Sequence, residues 1–491
     1  MDNIIVISQN VVLPSLSKVR PYIDVKGTTL LVTTQLLFDN EREIVADAIG
    51  INCVIIDFSE VLTDAEREEC DKIAFHPETQ KNVYAYYDDI KSLKNKRIVE
   101  KLLSKYQAKN KILVCDDLGI DGTEWIKKGF QHVECEYYHI SVIKKKSWLR
   151  KKIGRFIYNF KLPKKTIYEA YKDGQRYLFY GSLNRIGYRL DLDFHSAPKI
   201  EYFKYKFFEK GWAFKNNTIR LSTLHEGYEM FPDKPHINMK YIQDGFLPEN
   251  YSSNYLYFYG SKNVEYYTWD SLGRLTFFYH HLKNKILPFR KKLYLPLPKY
   301  PKQIKKVLCV ASGAGDWTAI KNRSDEDKMI VAFGKIAKMF PDIEFVYRCH
   351  PVWIHPLHQG VNSINRAAEY ITWLNLPNLK ISSNIPNANE GGRFRLSYKR
   401  TSFEEDLKDV DIVFGEHSIS MVDAAFKNIL FSSVNVTGHR DFFKGITDLG
   451  FPHCESVEEI ASLLKQVTTA AFEESYNRAI TNYNTMTDKE E

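Results

Sequence analysis

Short apolar runs alternate with polar, helix-like segments along the chain, and this alternation constrains the fold more than any other feature. In the first part of the sequence, the runs with the length and composition of buried strands are NIIVIS (3–8), TTLLVTTQLLF (28–38), INCVIIDFS (51–59) and KILVCDDLG (111–119). The polar segments 64–75 and 90–107 between them have the pattern of helices. Strand–helix alternation predicts an α/β layer with a mostly parallel sheet.

A second series of the same kind follows later in the chain. Its predicted strands lie in the segments 307–320, 343–351, 379–384, 411–426 and 429–435, and the segment 456–484 is predicted as one closing helix with Ser456 as its N-cap. The runs 176–184 and 240–246 are predicted as further strands of the first sheet.

Four prolines lie between residues 286 and 306, a segment that can form neither a helix nor a central strand. We therefore predict a linker at 286–306 between two Rossmann-like domains. The N-terminal domain, 1–285, would hold the acceptor and the catalytic residue, and the C-terminal domain, 307–491, would bind the donor. The predicted fold class is α/β.

Composition excludes several other classes of protein. Of the 491 residues, 44% are hydrophobic and 26% are charged, as in an ordinary globular protein. The seven cysteines are scattered and show no CxxC spacing, which argues against a disulfide framework or a zinc site. The N-terminus lacks the pattern of a signal peptide, and no apolar run approaches the ~18 residues of a membrane span. We predict a cytoplasmic protein.

The net charge of +8 is concentrated in the segment 144–165, which has ten Lys and Arg residues and no acid. Trp148, Leu149, Ile153 and Phe156 recur among the basic residues at roughly helical spacing. A basic amphipathic helix of this kind can lie on an anionic membrane surface, whereas a solvated basic face is the simpler alternative. Nucleic-acid binding is not expected, because no known nucleic-acid motif accompanies the charge.

Three polar clusters follow predicted strands of the second series, where ligands bind in open α/β sheets. Glycine-rich loops, strand-end imidazoles and hydroxyls at helix N-termini all suit an anionic group, although each could also be an ordinary turn or helix cap. Together the clusters predict one nucleotide site. Its candidate residues are Ser312, Gly313 and Gly315; Arg348, His350 and Pro351; and His417, Ser418 and Ser420.

An acid follows a predicted strand in the first half of the chain, in the segment KYIQDGF (240–246). Asp244 and Gly245 could form an ordinary turn, because Asp-Gly is a common turn pair. The alternative is a catalytic carboxylate held at the end of a rigid strand.

These motifs together resemble those of the CMP-sugar-using transferases of the GT-B fold, in which two Rossmann-like domains face a cleft. QDGFLPE, RCHP and HSISMVDAAF are most similar to the corresponding motifs of bacterial β-Kdo transferases of capsule and O-antigen assembly. The chain departs from that pattern at Gln243, where an acid is usual, and at Pro248, where an arginine is expected. The resemblance covers roughly residues 176–435 through short motifs.

The resemblance implies a reaction and roles for its residues. Asp244 would be the nucleophile of a retaining transfer of Kdo from CMP-β-Kdo to a lipid-linked glycan, because β-Kdo products from a β-configured donor require two displacements. Glu226 and Glu169 are alternative acid/base partners. His350 would contact the CMP phosphate, with Ser418 and Ser420 as further donors of hydrogen bonds, and no metal or other cofactor is expected.

Other functions stay open at this point. A sialyl or other nonulosonic-acid transferase would use the same class of donor. A CMP-polyol-phosphate polymerase would transfer a phosphate ester instead, and a binding module would show no turnover.

Overall fold

The structure is a computed structural model of the chain. It describes residues 1–7, 18–33, 36–50, 52–63, 65–66, 69–70, 83–115, 138–141, 167–180, 189–198, 218–223, 239–242, 265–268, 284–286, 291–311, 323–349, 360–383, 401–415, 418–436 and 444–488.

The first series of strands forms a five-stranded parallel sheet. Its strands, in chain order, are β1 (Asn3–Ile7), β2 (Thr29–Thr33), β3 (Cys53–Asp57), β4 (Asn110–Cys115) and β5 (Tyr138–Ser141). They lie in the order β3-β2-β1-β4-β5, and every neighbouring pair is parallel. The order reverses direction at β1, as in a doubly wound sheet. The four strands predicted from apolar runs in this region are confirmed.

Helices cover both faces of this sheet. Helix α1 (Asp39–Ile49) packs on the face that carries Ile5 and Ile7, and α2 (Val83–Lys105) packs on the face that carries Ile4 and Val6. Successive residues of β1 therefore point to opposite apolar cores, which is why the strand is hydrophobic throughout instead of alternating with polar residues. A short 3-10 helix at Arg20–Tyr22 precedes β2 and another at Phe58–Val61 follows β3.

The strands in the middle of the chain form a separate sheet. Its seven strands are β6 (Ile167–Lys172), β7 (Gln175–Tyr180), β8 (His195–Ser196), β9 (Thr218–Thr223), β10 (Met239–Ile242), β11 (Glu265–Thr268) and β12 (Asn284–Ile286). Their order is β12-β11-β10-β9-β7-β6-β8. The strands predicted at 176–184 and 240–246 are present as β7 and β10, but the prediction that they extend the first sheet is wrong. The tight turn at Asp173–Gly174 pairs β6 with β7 as a hairpin, which gives this sheet an antiparallel edge.

The second predicted series forms a six-stranded parallel sheet. Its strands are β13 (Lys306–Val310), β14 (Glu344–Arg348), β15 (Leu379–Ser382), β16 (Ile412–Gly415), β17 (Leu430–Val434) and β18 (His453–Cys454). Helices α3 (Arg323–Met339), α4 (Gly360–Leu374), α5 (Phe403–Asp406) and α6 (Ile419–Ala425) connect them, followed by α7 (Lys444–Asp448). The predicted strands of this series are confirmed, and so is the α/β fold class with two Rossmann-like sheets.

Two helices, not one, close the chain. Ser456 caps α8 (Val457–Gln466) as predicted, and its hydroxyl accepts a hydrogen bond from the Glu459 amide at 3.2 Å. The prediction of one continuous helix is wrong, because α8 ends and α9 (Ala470–Asp488) begins afresh. The hydroxyl of Thr469 accepts from the Phe472 amide at 3.3 Å, so a second N-cap interrupts the helical pattern.

Packing divides the chain into two units. One consists of Met1–Lys146, Leu297–Phe442 and Phe451–Tyr476, and the other of Ser147–Pro296, Phe443–Gly450 and Asn477–Glu491. The five- and six-stranded sheets belong to the first unit, and the division between Pro296 and Leu297 falls within the predicted linker. The domain boundaries at 285 and 307 stay a prediction.

Candidate functional site

The strand order of the six-stranded sheet marks one edge as the place for a ligand. The order is β15-β14-β13-β16-β17-β18. The strand that comes first in the chain, β13, therefore has β14 and β15 on one side and β16, β17 and β18 on the other. The chain leaves β13 and β16 in opposite directions along the sheet, which opens a crevice at their carboxyl ends. A ligand of this sheet is expected at that switch point.

The three predicted clusters begin at this edge. Val310, at the end of β13, is paired in register with Arg348 of β14 and with Gly415 of β16. The row continues to Ser382 of β15 and Ser433 of β17. Neighbouring strands are about 4.8 Å apart, so the ends of β13, β14 and β16 lie within about 10 Å of one another.

Most of the predicted ligand-binding residues themselves lie outside the described residues. They follow the paired row by two to five positions in the sequence. These residues are Ser312, Gly313, Gly315, His350, Pro351 and His417.

Arg348 is described, and its side chain has intramolecular partners. Its Nη1 atom donates to Oδ2 of Asp406 and, at 3.3 Å, to the carbonyl oxygen of Thr401. Both members of the ion pair are buried, at 9% exposure for Arg348 and 5% for Asp406. The predicted contact of Arg348 with a phosphate therefore has to use other N–H groups of the guanidinium, and it stays a prediction.

Ser418 is the N-cap of the short helix α6. Its hydroxyl accepts a hydrogen bond from the Ser420 amide at 3.3 Å, and both serines are half-buried. Gly415, at the end of β16, lies close to β13, because a Cβ atom there would lie 2.8 Å from Cγ2 of Val310. The capping role that the sequence left open for Ser418 is present, and phosphate binding by Ser418 and Ser420 stays a prediction.

Sequence reasoning missed the polar side chains that continue this row. Oγ of Ser433 lies 2.6 Å from Nδ1 of His453, and Nε2 of that histidine lies 3.6 Å from Oε1 of Glu455. Ser433 is fully buried, so its hydroxyl is not accessible to a substrate as a nucleophile. Nearby, burial raises the pKa of the Cys454 thiol to about 12, which keeps the thiol protonated. The signal for this cluster is the pair of serines inside the apolar strand LFSSV.

Sequence reasoning also missed that the strand before Asp244 belongs to a separate sheet. That strand is β10, which lies inside the seven-stranded sheet and runs parallel to both of its neighbours, β9 and β11. Ile242 is the last described residue of that strand, so the prediction of a strand that precedes the acid is confirmed. Asp244 itself and the alternative acid/base residue Glu226 lie outside the described residues.

Glu169, the other predicted acid/base residue, is held in an ion pair. Its Oε2 atom accepts from Nη2 of Arg176 at 2.7 Å and from Nε at 3.1 Å. Through paired strands, Glu169 shares a row with Met239 at the amino end of β10. Ile242 is three residues further along, about 10 Å at ~3.3 Å per residue. The role of Glu169 as an acid/base residue stays a prediction, and its carboxylate already has an intramolecular partner.

Two kinds of feature are absent from the residues that the structure describes. No group of three His, Cys, Asp or Glu side chains is placed to hold a metal ion. No described helix is long and apolar enough to cross a membrane. The basic segment 144–165 lies outside the described residues, as does the predicted membrane contact that it would make.

Comparisons with known proteins return structural similarity only. No protein-family model matches the chain, and no curated protein matches it. Among solved structures, the chain is similar to a mutant of S. aureus TarM in complex with fondaparinux, alpha-GlcNAc-glycerol and UDP, at 11% identity and a TM-score of 0.37, covering 100% of this chain and 99% of that one.

Two further solved structures show similarity at a comparable level of identity. One is trehalose-6-phosphate synthase OtsA, at 10% identity and a TM-score of 0.34, covering 66% of this chain and 86% of that one. The other is the glycosyltransferase SnogD from Streptomyces nogalater, at 10% identity and a TM-score of 0.22, covering 99% of this chain and 95% of that one. At TM-scores this low, the similarities assign no activity to the chain.

Proposed function

We propose that the chain is a glycosyltransferase that moves Kdo from CMP-β-Kdo to a lipid-linked polysaccharide acceptor with retention of configuration. The observation that carries the proposal is the paired row Arg348–Val310–Gly415 at the switch point of the six-stranded sheet. Three polar clusters start at this row from three different strands, and two of them contain the motifs RCHP and HSISMVDAAF, which resemble those of CMP-sugar transferases. The carboxyl ends of parallel strands always meet at one edge, so the support comes from the residue types gathered at the switch point, which suit a nucleotide.

The chemistry of this edge suits the cytidylate of the donor. His350 and the loop at Ser312–Asp316 would bind the phosphate through an imidazole and backbone amides, with Ser418 and Ser420 adding hydroxyl donors. Hydrogen bonds of this kind stabilise the negative charge that develops on departing CMP. We therefore propose that transfer needs no metal, and activity that EDTA abolishes and Mg²⁺ restores would contradict this.

Asp244 is the proposed nucleophile. In the first step its carboxylate attacks C2 of Kdo, and the C2–O bond to phosphate breaks with its electron pair leaving on CMP. In the second step the acceptor hydroxyl attacks C2, the bond to Asp244 breaks, and a base removes the hydroxyl proton. Glu226 and Glu169 are the alternative bases, and Glu169 would act from its ion pair with Arg176.

The place of the acceptor follows from its chemistry. A lipid-linked glycan is held at a membrane surface, and the ten basic residues of 144–165 are suited to anionic headgroups. We propose peripheral contact with the cytoplasmic face of the inner membrane through this segment.

Release of CMP without acceptor tests the proposal. Wild-type enzyme incubated with CMP-Kdo should release one burst of CMP and gain the mass of one Kdo residue on the peptide that contains Asp244. Asp244→Asn should lower the rate of CMP release by at least about a thousandfold and show no adduct. Glu404→Gln is the matched control, because Glu404 lies on the exposed side of α5 and pairs with Lys427.

The outcomes separate the alternatives. Release of CMP from CMP-sialate but not from CMP-Kdo would reassign the donor, and phosphorus in the product would indicate transfer of a phosphate ester. A Kdo adduct on another residue, or normal turnover by Asp244→Asn, would refute Asp244 as the nucleophile.

A further inference from the structure

A buried carboxylate joins two strands at the carboxyl edge of the six-stranded sheet. Oδ2 of Asp406 accepts a hydrogen bond from Nη1 of Arg348, at the end of β14, and another at 2.7 Å from Oγ of Ser382, at the end of β15. All three side chains are less than a tenth exposed. Arg348 and Ser382 are also paired in register, so the carboxylate closes a cluster that the two strands already begin.

Two neighbours of Asp406 in the sequence also contact the guanidinium group of Arg348. The carbonyl oxygen of Thr401 accepts from Nη1 at 3.3 Å, and the Phe403 ring centroid lies 5.8 Å from the guanidinium carbon. Arg348 is therefore held by three residues of one segment, 401–406, which we call the clamp segment.

The clamp segment is itself well fixed. Ser402 and Glu405 form a capping box at the start of α5: the Ser402 hydroxyl accepts from the Glu405 amide at 3.1 Å, and the Glu405 carboxylate accepts from the Ser402 amide at 2.6 Å. The Thr401 amide also donates to the carbonyl oxygen of Ser383 at 3.0 Å. A residue of this segment can therefore set the position of a side chain that it contacts.

Stability alone does not account for a charged pair at this place. Removing two charges from water costs free energy that their mutual attraction only partly offsets, and apolar residues of similar size often stabilise a core at least as well. Arg348, one member of the pair, lies two residues before His350 along the chain and on the row that borders the switch point. Apolar residues of similar size would fill the same space but would not hold the end of β14 by hydrogen bonds.

We propose that Asp406 is a positioning residue of the donor site: by binding Arg348 and Ser382 it fixes the end of β14, from which His350 follows. This inference rests on the proposed function. Asp406 does not contact the donor in this proposal, and it acts through the strand end that it holds.

Binding of CMP to the whole chain tests the inference. Isothermal titration with CMP, and separately with UDP, is carried out on wild type, Asp406→Asn and Glu404→Gln, with thermal unfolding of each. Asp406→Asn keeps the size of the side chain and removes its charge, and the dissociation constant for CMP should rise by about 10- to 100-fold. Glu404→Gln removes the neighbouring exposed ion pair of the same helix and should bind CMP as wild type does.

A second variant covers failure of the first to fold. Ser382→Ala removes one of the two hydrogen bonds to Asp406 and keeps the ion pair, so it should raise the dissociation constant for CMP by a smaller factor, about 2- to 10-fold. In steady-state assays, the donor KM should rise in both variants while the acceptor KM stays unchanged. A merely structural role would lower the unfolding temperature without this difference between the two substrates.

Each outcome has one meaning. If wild type binds CMP and the folded variants at Asp406 and Ser382 bind it equally well, the inference is overturned and the proposed function stands. If UDP binds and CMP does not, with weaker UDP binding by the variants, the CMP donor is overturned and the positioning role stands. If wild type binds neither nucleotide, the proposed function fails, and this inference fails with it.

Discussion

Gly415 is the position at which packing at the switch point can be tested most directly. An added Cβ atom would lie 2.8 Å from Cγ2 of Val310, and 3.4 Å from Cβ and Sδ of Met421. Optimal separation between carbon atoms is about 3.5–4.0 Å, so the contact with Val310 is too short by about 1 Å. Val310 is buried, and a β-branched side chain has little freedom to rotate away.

The expected change in the free energy of unfolding for Gly415→Ala follows from two opposing effects. Overpacking of a close-packed core costs about 1–3 kcal/mol. Replacing glycine by alanine within a strand gains about 0.5–1 kcal/mol, because the unfolded chain loses conformational freedom. We therefore expect Gly415→Ala to lower the free energy of unfolding by about 0.5–2 kcal/mol.

A double-mutant cycle isolates the clash. Val310→Ala alone should destabilise by about 2–3 kcal/mol through lost burial and the cavity that remains. In the double variant the new methyl group occupies that cavity, so the loss should be smaller than the sum of the single losses by at least about 0.5 kcal/mol. Equilibrium urea denaturation of the four proteins measures this coupling. Additive losses, or a stabilising Gly415→Ala, would refute the packing argument.

Three further predictions concern stability. Tyr476→Phe should lower the free energy of unfolding by about 1–3 kcal/mol in urea denaturation, because the buried Phe431 amide donates to the Tyr476 hydroxyl at 3.0 Å. Asn484→Ala should cost about 1–2 kcal/mol in the same assay, since the Asn484 amide bonds both the N–H and the carbonyl of Leu295, at 2.8 and 3.0 Å. Hydrogen bonds from Lys101 and the backbone lower the pKa of Glu66 to about 2. Glu66→Gln should therefore lower the free energy of unfolding at pH 7 by less than about 1 kcal/mol, which thermal unfolding measures as a lower unfolding temperature. The difference from wild type should disappear as the pH falls from about 4.3, the pKa of Glu in the unfolded chain, through about 2.

Most strands of both doubly wound sheets could be predicted from sequence because they are buried on both faces, whereas β5 and β18, which lie at sheet edges, were not predicted. Strands such as β1 and β13 are then continuous apolar runs with polar residues at their ends, a pattern that few other elements share. The pattern predicts that a strand exists but not which sheet it joins. That limit explains the error over β7 and β10, since their side-chain pattern does not encode a partner strand.

Helix boundaries were harder to predict for local reasons. Helix α1 follows β2 after five residues, and its apolar start at Leu36–Phe38 reads as a continuation of the strand. The amide of Phe38 donates to the Glu41 carboxylate at 3.0 Å, a capping interaction that begins the helix there. At the other end of the chain, Thr469 is a weak sequence signal, and only its bond to the Phe472 amide shows that it separates two helices.

The site was predictable as far as its strand ends and no further. Arg348 and Gly415 could be placed at one edge because the carboxyl ends of parallel strands meet there. The partner of Arg348 could not be predicted, since Asp406 is 58 residues away in sequence and looks like one acid among several in FEED. A buried ion pair is a product of register and burial, and neither is visible in the residue types.

The two proposed functions are assigned to residues that follow strands of different sheets, and this separates the expected defects of the variants. CMP binding is assigned to the carboxyl edge of the six-stranded sheet, whereas Asp244 follows β10 of the seven-stranded sheet. Asp244→Asn should therefore bind CMP with wild-type affinity and fail to release CMP from CMP-Kdo. Asp406→Asn should bind CMP weakly and keep a measurable turnover at saturating donor. If Asp244→Asn instead weakens CMP binding as much as Asp406→Asn does, the assignment of nucleotide binding and bond cleavage to separate sheets is wrong.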